Sequence, residues 1–156
     1  MTTDMVPHPA ANPPSDAVTR RTELIDRFER CAIDNTAFHH RDHIRMVWSY
    51  HGEFAFAEAA FRFTEALKRF AAANGKPELY HETITWAFLV IVRERMVRGG
   101  EDSWDEFAEA NADLFAWNPS LLDSLYRPGT LGSDLARRAF LLPDASLAWP
   151  RPLIAG

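Results

Sequence analysis

The chain has 156 residues, of which 47% are hydrophobic and 25% charged, proportions typical of one soluble globular domain with a sizeable core. Its formal net charge of -5, from 22 acidic and 17 basic side chains, argues against a nucleic-acid-binding protein, whose surface usually carries a basic cluster. The longest apolar run, residues 86–92, is far shorter than the ~20 residues that cross a bilayer, so we expect no membrane contact.

The compartment is predicted from cysteine usage and from the N-terminal segment. The single cysteine, Cys31, excludes an internal disulfide and favours a reducing environment. The first nineteen residues are rich in proline and lack the apolar segment of a signal peptide, so we expect a cytoplasmic protein. Proline content and missing periodicity predict a disordered tail over residues 1–14, a domain over 15–143 and an extended tail over 144–156.

Helical periodicity and capping signals dominate the residues between the two tails. The first predicted helix begins at Ser15, and the second and third cover 38–51 and 53–73. The fourth starts at Pro77 and carries 80–97. The fifth runs from the Ser103 cap to 117, the sixth over 118–126, and the last from Thr130 or Ser133 to 140. Residues 83–92 are rich in β-branched and aromatic side chains, which leaves a strand as the alternative there. The Pro77-Glu78 start favours a helix, buried on most sides and central. With no hairpin signal and no repeat, we expect an all-α single-domain bundle of about five to seven helices.

Histidines are concentrated in two short segments, His39, His40, His43 and His51 in the first and His81 in the second. At ~100° per residue, His40, His43 and His51 share one helix face while His39 projects away from it. Side chains three residues apart are neighbours on a helix, so His40 and His43 could chelate one ion. His81, on the fourth helix, is the expected third ligand. The sequence therefore predicts a metal site of His40, His43 and His81.

Carboxylates near these histidines suggest what such a site would do. Glu82 or Glu53 would supply an oxygen ligand or a base, and His81 and Glu82 are the candidate catalytic residues. Imidazoles with a carboxylate suit Zn, Fe, Cu or Mn, with open positions for metal-assisted hydrolysis or oxidation of a small molecule. The alternative within enzymes is metal-free acid–base chemistry, with His81 and Glu82 paired and His40 or His43 as partner.

Three stretches of sequence carry a resemblance to other proteins: Phe38-x-His40-x-x-His43-x-Arg45, Tyr80-His81-Glu82-Thr83-Ile84-Thr85, and Leu135-Ala136-Arg137-Arg138-x-Phe140-x-x-Pro143-Asp144. Together they resemble a group of small uncharacterised bacterial helical proteins, over residues 38–144. The resemblance implies no activity. The architecture is also similar to helical-bundle metalloproteins, but this sequence lacks the two Glu-x-x-His motifs of di-iron centres, since only residues 78–81 have that spacing.

A second class of function competes with the metal site. A His-x-x-His pair is a weak motif, and buried imidazoles often bind backbone carbonyls instead of metals. The eleven Phe and five Trp could line a cavity in a non-catalytic helical module that binds a small hydrophobic ligand, haem or a protein partner. In either class we expect a small-molecule substrate or ligand and no nucleic acid. The sequence leaves a homodimer open.

Overall fold

Six α-helices make up most of the computed structural model, which describes residues 13–145. In chain order they are α1 (Pro13–Glu29), α2 (His40–Glu53), α3 (Phe56–Ala73), α4 (Glu82–Gly99), α5 (Trp104–Ala110) and α6 (Asp134–Arg138). Short 3-10 turns lie at Asn35–Ala37, Pro77–Leu79, Ala112–Phe115 and Leu121–Ser124. The described residues form no strand, so the all-α prediction is confirmed.

The predicted tails fall mainly outside the described residues. Residues 1–12 and 146–156 lie outside the part of the chain that the structure describes. Pro13 and Pro14, which were assigned to the N-terminal tail, instead begin α1. Within residues 13–145, no helix has both the length and the apolar character that crossing a membrane requires.

The centre of the bundle is α2, which packs against α1, α3 and α4. Every side chain at positions 46–51 of α2 is buried. By contrast, α4 leaves 44% of the Val90 side chain accessible. The apolar run of the fourth helix predicted burial on most sides, and α4 packs against α2, α3, α5 and α6, with Val90 the one exposed residue among 86–92.

Aromatic side chains fill the space between the first three helices. The Phe28 ring lies 5.4 Å from Phe38, 5.9 Å from Phe63 and 5.4 Å from Phe70, measured between centroids. Alanines at the neighbouring positions 59, 60 and 66 of α3 are fully buried and let the helices approach closely. Phenylalanines recur every seven residues along α3, and Phe63 and Phe70 belong to this core while Phe56 remains 37% exposed.

The start of the fourth helix differs from the prediction. A 3-10 turn at Pro77–Leu79 is separated from α4 by two extended residues, and His81 is the N-cap of α4 and not part of its body. Its Nδ1 accepts a hydrogen bond from the backbone N–H of Ile84 over 3.2 Å. A cap side chain of this kind satisfies one of the unpaired donors at a helix start. This break turns His81 toward the C-terminal part of the chain.

Short elements replace the longer helices predicted after Gly100. The predicted fifth helix is split into α5 and the turn Ala112–Phe115, and the sixth is reduced to the turn Leu121–Ser124. Both helices keep a predicted cap: Ser103 Oγ accepts from the backbone N–H of Glu106 over 3.3 Å at α5, and Ser133 Oγ accepts from that of Ala136 over 3.1 Å at α6. These elements pack over α4 and α2, and their loops close one side of a cavity described below.

Candidate functional site

A cavity of about 710 Å³ lies between the N-terminal half of α2, the C-terminal half of α3 and the first turns of α4. The turn Pro77–Leu79 and the residues on either side of it form a further wall. Trp117 and the α6 residue Arg137 complete the lining. Cavities of several hundred Å³ are the size that proteins use to hold small molecules.

Apolar side chains form most of the cavity wall. They come from all three helices and comprise Ile44, Val47, Phe63, Leu67, Phe70, Ala71, Ile84 and Phe88. Polar groups are interspersed among them, and the three histidines named as metal ligands, His40, His43 and His81, all belong to the lining. The pattern of apolar walls with a few polar groups is typical of a small-molecule site.

His43 is the histidine with an unused imidazole. It is partly buried on α2, and its ring lies 4.3 Å from the ring of Phe38. Neither ring nitrogen has a hydrogen-bond partner among the described residues. Burial, reinforced by the neighbouring His40, lowers the pKa of His43 from 6.5 to about 4, although Asp42 opposes the shift. The ring is therefore neutral at pH 7 and offers one donor and one acceptor to a molecule in the cavity.

His40 is held by the protein through one of its nitrogens. Nε2 lies 2.8 Å from the carbonyl oxygen of Leu114, so it carries the hydrogen and donates it. The ring packs between Phe88 at 5.0 Å and Trp117 at 4.7 Å. Burial lowers the pKa of His40, and its hydrogen bond to Leu114 only partly compensates. His40 therefore stands as a neutral, oriented ring in the wall.

His81 has both nitrogens in hydrogen bonds to the backbone. Besides accepting from Ile84, it donates through Nε2 to the carbonyl oxygen of Leu131 over 2.7 Å. A metal ion would need one of these nitrogens and would break a bond that holds two segments together. His81 therefore borders the cavity as a structural residue, which the sequence could not distinguish from a ligand.

The two carboxylates proposed as oxygen donors lie elsewhere. Glu82 Oε1 accepts from the indole N–H of Trp86 over 2.9 Å, and it is not part of the cavity wall. Glu53 pairs with Arg21, with 2.9 Å between Oε1 and Nε, at the far end of α2. Neither residue is placed to complete a site with His40 and His43.

The remaining two histidines of the cluster differ in position. His39 is an exposed residue of the cavity lining, and its backbone N–H donates to the Asp42 carboxylate over 2.9 Å at the start of α2. His51 is buried away from the cavity, where Nε2 donates to the carbonyl oxygen of Leu89 over 2.8 Å. Its Nδ1 is one of the buried polar atoms without a partner among the described residues.

A metal centre therefore has little geometric support. Within residues 13–145, no group of three or more His, Cys, Asp or Glu side chains is arranged to hold a metal ion. The three-histidine site, with Zn, Fe, Cu or Mn as its ion, stays a prediction. Metal-free catalysis by a His81–Glu82 pair also stays a prediction. In the structure the two side chains are not paired with each other: His81 binds Leu131 and Glu82 binds Trp86.

The wall also contains Tyr80, which lies in one of the stretches that carried the resemblance, and three residues that the sequence did not connect with the site. Tyr80 has a buried hydroxyl without a hydrogen-bond partner among the described residues, and burial, followed by the nearby Glu82 carboxylate, raises its pKa. Lys76 follows Asn74-Gly75 and looks like an ordinary turn residue. Trp117 looks like a helix end. Arg137 belongs to one of the stretches that carried the resemblance, but nothing in the sequence linked it to the histidines.

Comparison with known proteins adds no identity. No protein-family description, no curated protein and no solved structure matches this chain. The site is therefore interpreted from its own geometry.

Proposed function

We propose that this protein binds a small, largely apolar molecule in the cavity between α2, α3 and α4. The observation that supports this most is the cavity itself, about 710 Å³ in volume and lined mainly by aliphatic and aromatic side chains. The unpartnered imidazole of His43 would provide a polar contact for the bound molecule. This is the second of the two classes of function that the sequence suggested.

Binding in an apolar cavity is driven by the apolar surface that ligand and wall remove from water, about 25 cal/mol per Å². The wall residues come from elements fixed by the same core, so most of the site is formed before a ligand arrives. An uncharged imidazole is also compatible with an apolar ligand surface, because the ring carries no charge that the bound ligand would separate from water. The proposal therefore requires no rearrangement of the bundle.

A neutral fluorescent probe, N-phenyl-1-naphthylamine, tests the proposal, because its emission rises in apolar surroundings. We expect saturable binding by the wild type. Ala71→Trp would fill part of the cavity and lower the affinity by about tenfold or more, a difference of ~1.4 kcal/mol. Ala72→Trp is the matched control, since Ala72 is the next residue of α3, is exposed and lies outside the cavity wall.

Circular dichroism of both variants would show that the bundle is intact. If Ala71→Trp lost helicity, the smaller Ala71→Met would be used in its place. No saturable binding by the wild type, or equal binding by a folded cavity-filling variant and the Ala72→Trp control, would overturn the proposal.

A further inference from the structure

Two cationic side chains lie at the cavity, and both lack an anionic partner. Lys76 and Arg137 are exposed members of its lining. Neither forms an ion pair with a described carboxylate. Arg138, the residue next to Arg137, does form an ion pair: its Nη1 lies 3.4 Å from Oδ2 of Asp134. The cations at the cavity are therefore available to a charged ligand.

The fold brings these two cations to the same side of the cavity. Nη1 of Arg137 donates to the carbonyl oxygen of Glu78 over 3.4 Å, and Glu78 is two residues from Lys76. The Glu78 carboxylate makes no ion pair with either cation within the described residues and is not part of the lining. Two residues separated widely in sequence thus contribute positive charge to the same side of the cavity.

The rest of the lining does not cancel this charge. None of the described residues that line the cavity is Asp or Glu. The other polar side chains of the lining are the amides of Asn35 and Asn74, the hydroxyls of Tyr80 and Thr85, and histidines such as His43. Charge of one sign beside low-dielectric walls raises the local concentration of ligands of the opposite sign. The cavity therefore favours an anion although the chain as a whole is acidic.

The exposed part of the cavity lining is apolar as well as cationic. Leu79 is 64% exposed and Trp117 57% exposed, and both line the cavity. Exposed large apolar side chains grouped at a site are typical of contact with a ligand. A ligand that was polar throughout, such as a nucleotide, would leave these residues and the phenylalanines inside without a complementary surface.

We infer that the ligand is an amphipathic anion, with an apolar body between the helices and a negatively charged head group beside Lys76 and Arg137. This inference rests on the proposed function, because it names the chemical class of the molecule bound in the same cavity. A carboxylate and a phosphate monoester share the required chemistry, since both match the donors of a guanidinium and an ammonium group.

Displacement of bound N-phenyl-1-naphthylamine tests the inference with ligands that share one alkyl chain and differ in the head group. The set is dodecanoate, dodecyl phosphate, dodecanol and dodecyltrimethylammonium, each kept below its micelle concentration. We expect at least one anion to displace the probe at a concentration about tenfold or more below that of the alcohol and of the cation. The better of the two anions identifies the head group.

A double variant, Lys76→Gln with Arg137→Gln, should remove this preference for anions over the alcohol and the cation, each ligand being compared with the probe affinity of the same variant. Arg138→Gln is the matched control, because Arg138 is the adjacent residue of α6, is exposed and does not line the cavity. The preference should also weaken in high salt, since charges near the surface are screened.

Each failure has a distinct meaning. If the alcohol or the cation displaces the probe as well as the anions do, the inference is wrong while the proposed function stands. If the double variant keeps the preference for anions, the assignment to Lys76 and Arg137 is wrong. If the neutral probe itself does not bind, the proposed function fails and the inference fails with it.

Discussion

The imidazole of His81 joins the start of α4 to Leu131, 50 residues further along the chain, through a hydrogen bond of 2.7 Å from Nε2 to the carbonyl oxygen. The opposite nitrogen of the same ring accepts from the Ile84 backbone over 3.2 Å. Both bonds require the neutral tautomer with its hydrogen on Nε2. One side chain therefore caps a helix and holds the segment before α6 against it.

His81→Ala should lower the free energy of unfolding by about 1–3 kcal/mol, because it removes an N-cap and leaves the Leu131 carbonyl without its donor. His81→Asn should lose less, since asparagine is a good N-cap. Urea unfolding followed by circular dichroism measures both. Equal stability of His81→Ala and wild type would show that these contacts contribute nothing.

The same substitution tests the three-histidine metal site. Because both nitrogens of His81 bind the backbone, we expect His81→Ala to leave the metal content unchanged. Elemental analysis of protein purified without an affinity metal provides the measurement, with His40→Ala/His43→Ala as the comparison. One equivalent of Zn, Fe, Cu or Mn in the wild type, lost in His81→Ala, would instead establish the predicted site.

The fold was predictable where local signals were strong. The Asn74-Gly75 stop of α3 and the Ser133 cap of α6 lie where the sequence placed them. Boundaries set by tertiary contacts were not predictable. The helical spacing of Leu24, Phe28 and Cys31 predicts Cys31 on the apolar face of the first helix, but it lies beyond α1 in a left-handed conformation with φ of 56°. The buried position of α2 also depends on packing, because its own sequence is more polar than that of α4.

The candidate site was predictable only as a grouping of residues. Helical spacing correctly placed His40 and His43 side by side, and both border the cavity with His81. Whether a ring nitrogen of His40 or His81 stays free depends on hydrogen bonds to the carbonyls of Leu114 and Leu131, which lie far along the chain. No periodicity in the sequence determines such contacts. The sequence therefore could not distinguish a histidine that ligates a metal from one that binds the backbone.

The neutral state of His43 should make stability depend on pH. Its pKa is about 4 in the folded protein and near 6.5 in the unfolded chain, so the unfolded state binds more protons between these values. The free energy of unfolding should therefore fall as pH decreases from about 6.5 toward about 4. Burial lowers the pKa of His40 and His51 too, and both add to the loss in the same direction.

The contribution of His43 is separated by substitution. His43→Leu cannot be protonated, so its stability should change less between pH 7 and pH 5 than that of the wild type, as measured by urea unfolding at each pH. His39→Gln is the control, because His39 is exposed at the start of the same helix. A wild-type slope retained in full by His43→Leu would assign the effect to other groups.

The chain after α6 is fastened to α4 by Thr83, which is fully buried. Its hydroxyl donates to the carbonyl oxygen of Ala139 over 2.7 Å and accepts from the backbone N–H of Leu141 over 3.1 Å. Thr83→Val keeps the shape but leaves both backbone groups unpaired, so it should cost about 1–3 kcal/mol and speed amide hydrogen exchange at Leu141. Thr22→Val on the exposed surface of α1, where the hydroxyl bonds its own helix, is the control. Exchange at Leu141 that stays as slow in Thr83→Val as in the wild type would mean that packing alone holds this segment in place.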